Sequence, residues 1–182
     1  LCPNSADAID WLDEHGITLH NVASFGGASV KRIHHIVERA QAAGRQCIII
    51  GTPTHPEVIA IAGWCERPLV FSNAEDLQNW TDADPSRRDL PLTMVSQTTS
   101  TKFLWESCKK IAKKVYTNCE IFDTICKATE NRQTEAAALA SECDAMVVVG
   151  DKNSSNTVRL AHICSEHCRN VTLVDNASEL EA

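Results

Sequence analysis

The chain has 182 residues, a net charge of −7, and ordinary hydrophobic and charged fractions of 43% and 23%. That composition suits a globular protein with room for one domain or two small ones. The acidic balance argues against a nucleic-acid module, which needs concentrated Lys and Arg. No apolar run reaches the roughly 20 residues of a membrane helix. With no secretory signal ahead of the first strand, the expected location is cytoplasmic.

In chain order, a leading helix is expected near Ala6–His15 and apolar strands at Ile17–Val22, Cys47–Gly51, Leu69–Phe71, Leu92–Val95, Glu120–Phe122, Ala145–Gly150 and Val171–Val174. Amphipathic segments separate most of them. Val30, Ile33, Val37 and Ala40 follow helical spacing, and Gly44 supplies the stop. A second stripe, Leu104, Cys108, Ile111 and Val115, leaves Lys109, Lys110, Lys113 and Lys114 as a solvated face. Strands alternating with helices predict an α/β fold with parallel-type sheets. The polar stretch Thr81–Leu90, with Asp84-Pro85 and Arg87-Arg88, reads as a linker or surface loop. It divides the chain into an αβα lobe over 1–80 and a second over 91–182.

Two stretches offset by 99 residues carry the same plan without a gap. One leads through a helix and strand to Gly51 and Thr52-Pro53-Thr54-His55-Pro56-Glu57. The other leads to Gly150 and Asp151-Lys152-Asn153-Ser154-Ser155-Asn156. His55 matches Ser154, Glu57 matches Asn156, and position 27 matches Cys126. Repeated units place equivalent loops alike, and parallel sheets bind ligands beyond their strands' carboxyl ends. Polar side chains at both strand ends, with Ser96-Gln97-Thr98-Thr99 at a third, predict a polar pocket; helix capping explains any one of them equally well.

His55 is a candidate for anion binding or proton delivery, and Glu57 for acid–base work. Of the nine cysteines, Cys47 and Cys108 sit in apolar elements as small hydrophobes. Cys126 follows a strand end, where a thiolate nucleophile, an iron ligand or a structural residue are all open readings. Cys164 and Cys168 flank His167 about one helical turn apart without an obvious third metal ligand. His34 and His35 are expected to be structural.

Asp123-Thr124-Ile125-Cys126-Lys127-Ala128-Thr129-Glu130-Asn131-Arg132-Gln133, followed by Val149-Gly150-Asp151-Lys152-Asn153-Ser154-Ser155-Asn156, resembles the LytB/IspH family of 4-hydroxy-3-methylbut-2-enyl diphosphate reductases. Val30-Lys31-Arg32-Ile33-His34, His55-Pro56-Glu57-Val58 and Gln97-Thr98-Thr99 occur in that family's order. The resemblance implies a trefoil of three αβα units, two of them present here, around an iron–sulfur cluster, usually [4Fe–4S], held by three cysteines. Cys126 would be one ligand. His55, Thr98, Ser154, Ser155 and Asn156 would bind the diphosphate and alcohol of the substrate. Glu57, with Thr98, would carry the proton chemistry. The implied reaction is reductive dehydroxylation of 4-hydroxy-3-methylbut-2-enyl diphosphate to isopentenyl and dimethylallyl diphosphate, in the non-mevalonate isoprenoid pathway, with electrons from a ferredoxin- or flavodoxin-like donor.

The sequence departs from that pattern at Gly27, where the second cluster cysteine belongs, and in lacking most of a first unit and a final serine segment. Two readings follow: a truncated or altered reductase, or a noncatalytic domain that binds diphosphate or acts only as a scaffold. A cysteine-nucleophile enzyme using Cys126 and His55 rests on residue types alone.

Overall fold

The computed structural model describes residues 28–180. The expected helix near Ala6–His15, the strand Ile17–Val22 and Gly27 lie outside the described residues. The chain divides into two units after Thr124.

The first unit opens with α1 (Ala28–Ala42). Its predicted stripe is the buried one: Ile33 and Val37 are fully covered and Ala40 nearly so. Lys31, Arg32, Glu38 and Arg39 face solvent. Gly44 ends the helix in the left-handed conformation at φ 70°, and Arg45 N–H returns to the Ala40 carbonyl at 2.9 Å, as expected of a glycine cap. Strand β1 (Gln46–Ile50) follows, then α2 (Pro56–Ala62), β2 (Leu69–Phe71), α3 (Ala74–Asp82), β3 (Leu92–Ser96), α4 (Lys102–Val115) and β4 (Cys119–Ile121). The four strands form one parallel sheet in the order β2-β1-β3-β4. Central β1 and β3 are buried along nearly their whole length, as strands covered on both faces are, and β1 runs apolar from Cys47 to Ile50.

The boundary expected at Thr81–Leu90 is not a boundary. The stretch starts in the last turn of α3 and forms a 3-10 turn, Pro85–Asp89, capped by the Asp84 side chain. It feeds β3 into the middle of the same sheet, where Gln46 to Ile50 pair with Leu92 to Ser96. The Arg87 guanidinium sits 4.5 Å over the Trp80 ring. Polar composition imitates a linker here, but the segment is anchored on both sides. On α4 the buried stripe is Trp105, Cys108 and Ala112, shifted by about one position from the predicted one, with Trp105 2% exposed. Lys109 is not a solvated lysine either: its side chain is 13% exposed and pairs with Glu106 at 2.7 Å and Asp123 at 2.9 Å.

The second unit contains α5 (Lys127–Glu142), β5 (Ala145–Val149), α6 (Ser155–His167) and β6 (Asn170–Val174). The two strands are parallel. Ala140, Cys164 and Cys168 form the centre of its core, with Ala136, Met146, Val148 and Val171 around them. Cys164 and Cys168 are thus packing residues, while His167 is exposed.

The repeat is reproduced at the level of single hydrogen bonds. Gly51 N–H donates to the Phe71 carbonyl and Gly150 N–H to the Val174 carbonyl, each at 2.9 Å. His55 N–H donates to Thr52 and Ser154 N–H to Asp151, again both at 2.9 Å. α2 and α6 begin at matching positions, Pro56 and Ser155.

Candidate functional site

In the first unit the site is built from the two loops that leave the carboxyl ends of the adjacent strands β1 and β3. Gly51 makes the first turn possible by its size. A Cβ there would lie 2.8 Å from Val58 Cγ2 and 2.9 Å from Gln97 Cβ. Gln97, fully buried, ties the two loops together. Its Oε1 accepts from Thr52 N–H at 3.1 Å, and its Nε2 donates to Thr99 Oγ1 at 2.9 Å.

His55 caps α2: its Nδ1 accepts from Glu57 N–H at 3.2 Å. Because Nδ1 is an acceptor, the neutral ring carries its proton on Nε2. Glu57 lies in the first turn of α2 and engages one residue with both oxygens. Oε1 accepts from Thr98 N–H at 2.6 Å, and Oε2 accepts from Thr98 Oγ1 at 2.7 Å. A carboxylate held twice is fixed in orientation as well as position. The Thr98 hydroxyl, having given its proton to Glu57, keeps its lone pairs for another donor. Thr124, at the exit of β4, locks the neighbouring backbone: its Oγ1 accepts from Ser96 N–H at 2.7 Å and donates to the Ser96 carbonyl at 2.8 Å.

Asp123, the first residue of the motif ending in Cys126, is structural. Its Oδ1 accepts from the Trp105 indole and the Lys109 ammonium. The Lys109 and then the Trp105 hydrogen bonds pull its carboxyl below the usual range.

In the second unit, Cys126 occupies the cap position ahead of α5 and is half-buried. Ser154 caps α6, with its Oγ 3.5 Å from Thr157 N. Ser155 Oγ accepts from Arg159 Nε at 3.3 Å. Asn156 Oδ1 is buried and meets no hydrogen-bond partner, a costly state that a ligand donor would relieve. The helix–strand–helix order puts the N-termini of α5 and α6 at the carboxyl end of β5, so Cys126 and Ser154–Asn156 share one end of this unit. Arg132 is exposed on α5.

The structure therefore brings His55, Glu57 and Thr98 together in one unit, and groups Cys126, Ser154, Ser155 and Asn156 in the other. Gln97 as the organiser of the first group, and the Trp105–Asp123–Lys109 cluster, were not singled out from sequence. The polar run Ser96–Thr99 after a strand was the available signal for the first; the second pairs residues far apart in the chain and left none.

The donor set was tested against a three-cysteine iron site. Among the described residues no three His, Cys, Asp or Glu side chains gather as metal ligands. Within the second unit, Cys143 and Cys168 follow the C-termini of α5 and α6, at the end away from Cys126, and Cys164 lies in the core. Burial also pushes the Cys119 thiol up to about 11, which disfavours the ligating thiolate. The position equivalent to Cys126 is Gly27. The described residues do not supply the three thiolates of such a cluster.

Comparison with known proteins gives the family. The LytB protein family profile matches residues 22–182. The 4-hydroxy-3-methylbut-2-enyl diphosphate reductase of Caldanaerobacter subterraneus subsp. tengcongensis is 33% identical over 172 residues, covering 94% of this chain and 57% of the relative. The reductase of the same name from Clostridium tetani is 36% identical over 185 residues, covering 93% and 27%. The solved E-1-hydroxy-2-methyl-but-2-enyl-4-diphosphate reductase of Plasmodium falciparum superposes with a TM-score of 0.70 at 26% identity, over 84% of this chain and 47% of that one. A second solved structure, described as (E)-4-hydroxy-3-methyl-but-2-enyl diphosphate reductase, the terminal enzyme of the non-mevalonate pathway, gives 0.56 at 26% identity over 96% and 60%. The chain spans a little over half, or less, of the length of these proteins. With the parallel α/β units, the ordered motifs and the profile match in agreement, the chain belongs to the LytB protein family.

Proposed function

We propose that this chain carries the substrate-holding and proton-handling part of a 4-hydroxy-3-methylbut-2-enyl diphosphate reductase, the activity for which its relatives are named. The observation that supports this most is the double hydrogen bond from Thr98 to Glu57. Reductive dehydroxylation removes an allylic hydroxyl as water, which requires a proton on the departing oxygen. In this reading Glu57, once protonated, gives its proton to Thr98 Oγ1 as the Thr98 hydroxyl passes its own to the departing oxygen, the reverse of the resting bond in which Thr98 donates to Glu57. His55 Nε2–H, the Ser154 and Ser155 hydroxyls and the Asn156 amide are the proposed diphosphate and alcohol partners.

The reaction also consumes two electrons, which the family's iron–sulfur cluster would pass from a ferredoxin- or flavodoxin-like donor. No electron step is assigned to this chain's residues, because the described residues place no two further thiolates beside Cys126. That mismatch favours the second reading, a LytB-type domain that binds diphosphate without reducing it.

Anaerobic reconstitution followed by iron and sulfide quantitation separates the two. About four irons per chain, lost in Cys126→Ala, with substrate turnover abolished by Glu57→Gln, is the outcome expected of a reductase. A diphosphate-induced rise in melting temperature without bound iron leaves the binding domain. Neither iron nor a shift at millimolar diphosphate rejects both readings.

A further inference from the structure

A cavity of about 720 Å³ lies in the first unit and is lined by none of the candidate-site residues. One wall is a single stripe of α1, from Arg32 through His35, Ile36, Arg39 and Ala40 to Ala43, positions three or four apart that share a helix face. Arg45, just ahead of β1, and Glu120 and Phe122, from β4 and its exit, supply the rest of the lining together with Lys31. β4 is an edge strand, paired with β3 alone among the described residues. The volume is that of a small-molecule site, which spans about 300–1,000 Å³.

The charge of this cavity runs against that of the chain. The protein carries a net −7, yet the lining has four Lys and Arg side chains and one carboxylate. Arg45 is already committed. Its guanidinium, 12% exposed, donates to Thr93 Oγ1, to Asn118 Oδ1 and to the Leu92 and Asn118 carbonyls, and lies 3.6 Å from Glu120. It therefore builds the wall and answers the one acid. Lys31, Arg32 and Arg39 are exposed and meet no carboxylate among the described residues. His35 has Glu38 at 3.5 Å on its own helix. Three cations are thus left to face a ligand, a local field that draws anions to the cavity.

We propose that this cavity binds an amphiphilic anion, a phosphorylated aliphatic chain. Between the cations the walls are Ile36, Ala40, Ala43 and Phe122, and no hydroxyl or amide side chain lines them among the described residues. Nothing there reads the edges of a base or a sugar, whereas a hydrocarbon tail needs only apolar contact. Arg32 and Arg39 stand seven residues apart, about 10 Å along the helix, so their guanidinium forks approach one head group from two sides. A phosphate, with close to two negative charges at neutral pH, matches three uncompensated cations better than a carboxylate does. The cavity shares no residue with the His55, Glu57 and Thr98 group or with Cys126 and Asn156. The proposal stands whether or not the chain reduces anything.

The test titrates n-decyl phosphate into the 182-residue chain by calorimetry, with inorganic phosphate, decanol and decanoate as controls. One saturable site for decyl phosphate is expected, weakened by added salt, with each control binding more weakly. Arg32→Ala and Arg39→Ala should each lower the affinity about twofold to fivefold, Arg39→Lys less, and Ala43→Trp, which fills the cavity, more. Amide resonance shifts should gather at Ile36, Ala40 and Phe122 and spare Thr52, Glu57 and Thr98, which separates this site from diphosphate binding at the candidate site. No saturable binding, shifts centred on Glu57 and Thr98, or variants that bind like the parent would overturn the proposal. Decanol or decanoate binding as tightly as decyl phosphate overturns it too, because the phosphate is then not read. A concentration-dependent dimer broken by Arg39→Ala does the same, since it gives the cavity to a second copy of the chain.

Discussion

Glu57 and Thr98 stand 41 residues apart and are joined twice, carboxylate oxygens to backbone N–H at 2.6 Å and to side-chain hydroxyl at 2.7 Å. The pair links the loop after β1 to the loop after β3, so it has a structural value apart from any chemistry. Glu57→Gln sets an amide NH2 against a donor and should cost about 1–2 kcal/mol. Thr98→Val removes the hydroxyl bond and keeps the N–H bond, for about 1 kcal/mol, whereas Thr98→Ser should remain close to wild type. Urea denaturation of the two single variants and the double variant checks this, and strictly additive losses would show that the two residues do not act together.

Asn156 should behave in the opposite way. Its Oδ1 is buried without a partner, so Asn156→Ala deletes an unmet acceptor and should leave stability unchanged or raise it by up to about 1 kcal/mol. If the acceptor is held open for a ligand, the same variant should lose most of the melting-temperature rise that diphosphate gives the parent chain. Equal shifts in both proteins would remove Asn156 from the binding set.

The two repeat glycines predict matched penalties for different contacts. Gly51→Ala drives a methyl against Val58 and Gln97, both buried. Gly150→Ala drives one to 2.9 Å from Thr157 Oγ1 at a φ of 157°. Each should destabilise by about 1–3 kcal/mol. Gly51→Ala should also shift the Thr52 and Thr99 amide resonances, because Gln97 must give way. Gly44→Ala, with open space but a φ of 70°, should cost about 1 kcal/mol through backbone strain alone. Chemical denaturation of the three variants measures all of this.

His34 gives a pH signature. It stacks on Trp64 with ring centroids 5.5 Å apart, its Nε2 is buried without a partner, and burial, with His35 adding, lowers its pKa below 6.5. A histidine whose folded pKa is depressed binds its proton more readily once unfolded. Stability should therefore fall as pH drops below about 6.5 and level off below the folded value. His34→Leu keeps the packing against Trp64 and should flatten that part of the profile. Urea midpoints of both proteins between pH ~7.5 and ~5.5 test it, and parallel profiles would count against His34 as the source.

Much of this was legible in the chain itself. The helix stripe of α1, its glycine stop, the buried strands and the unbroken 99-residue register follow from local periodicity and from residues whose backbone preferences are strong. The register located the loops bearing His55, Glu57, Ser154 and Asn156, because equivalent loops leave equivalent strands at the same end. The same register matches position 27, a glycine, to Cys126, which bears on metal ligation. Tertiary structure decided what depends on long-range pairing. The polar stretch Thr81–Leu90 looked like a linker until β3 paired with β1. Lys109 looked solvated until Asp123 came beside it. Gln97, Thr98 and Glu57 form one group only because parallel strands bring distant loops to the same place. Local propensity carries no information about which distant residues meet; the pairing of strands in the sheet supplies it.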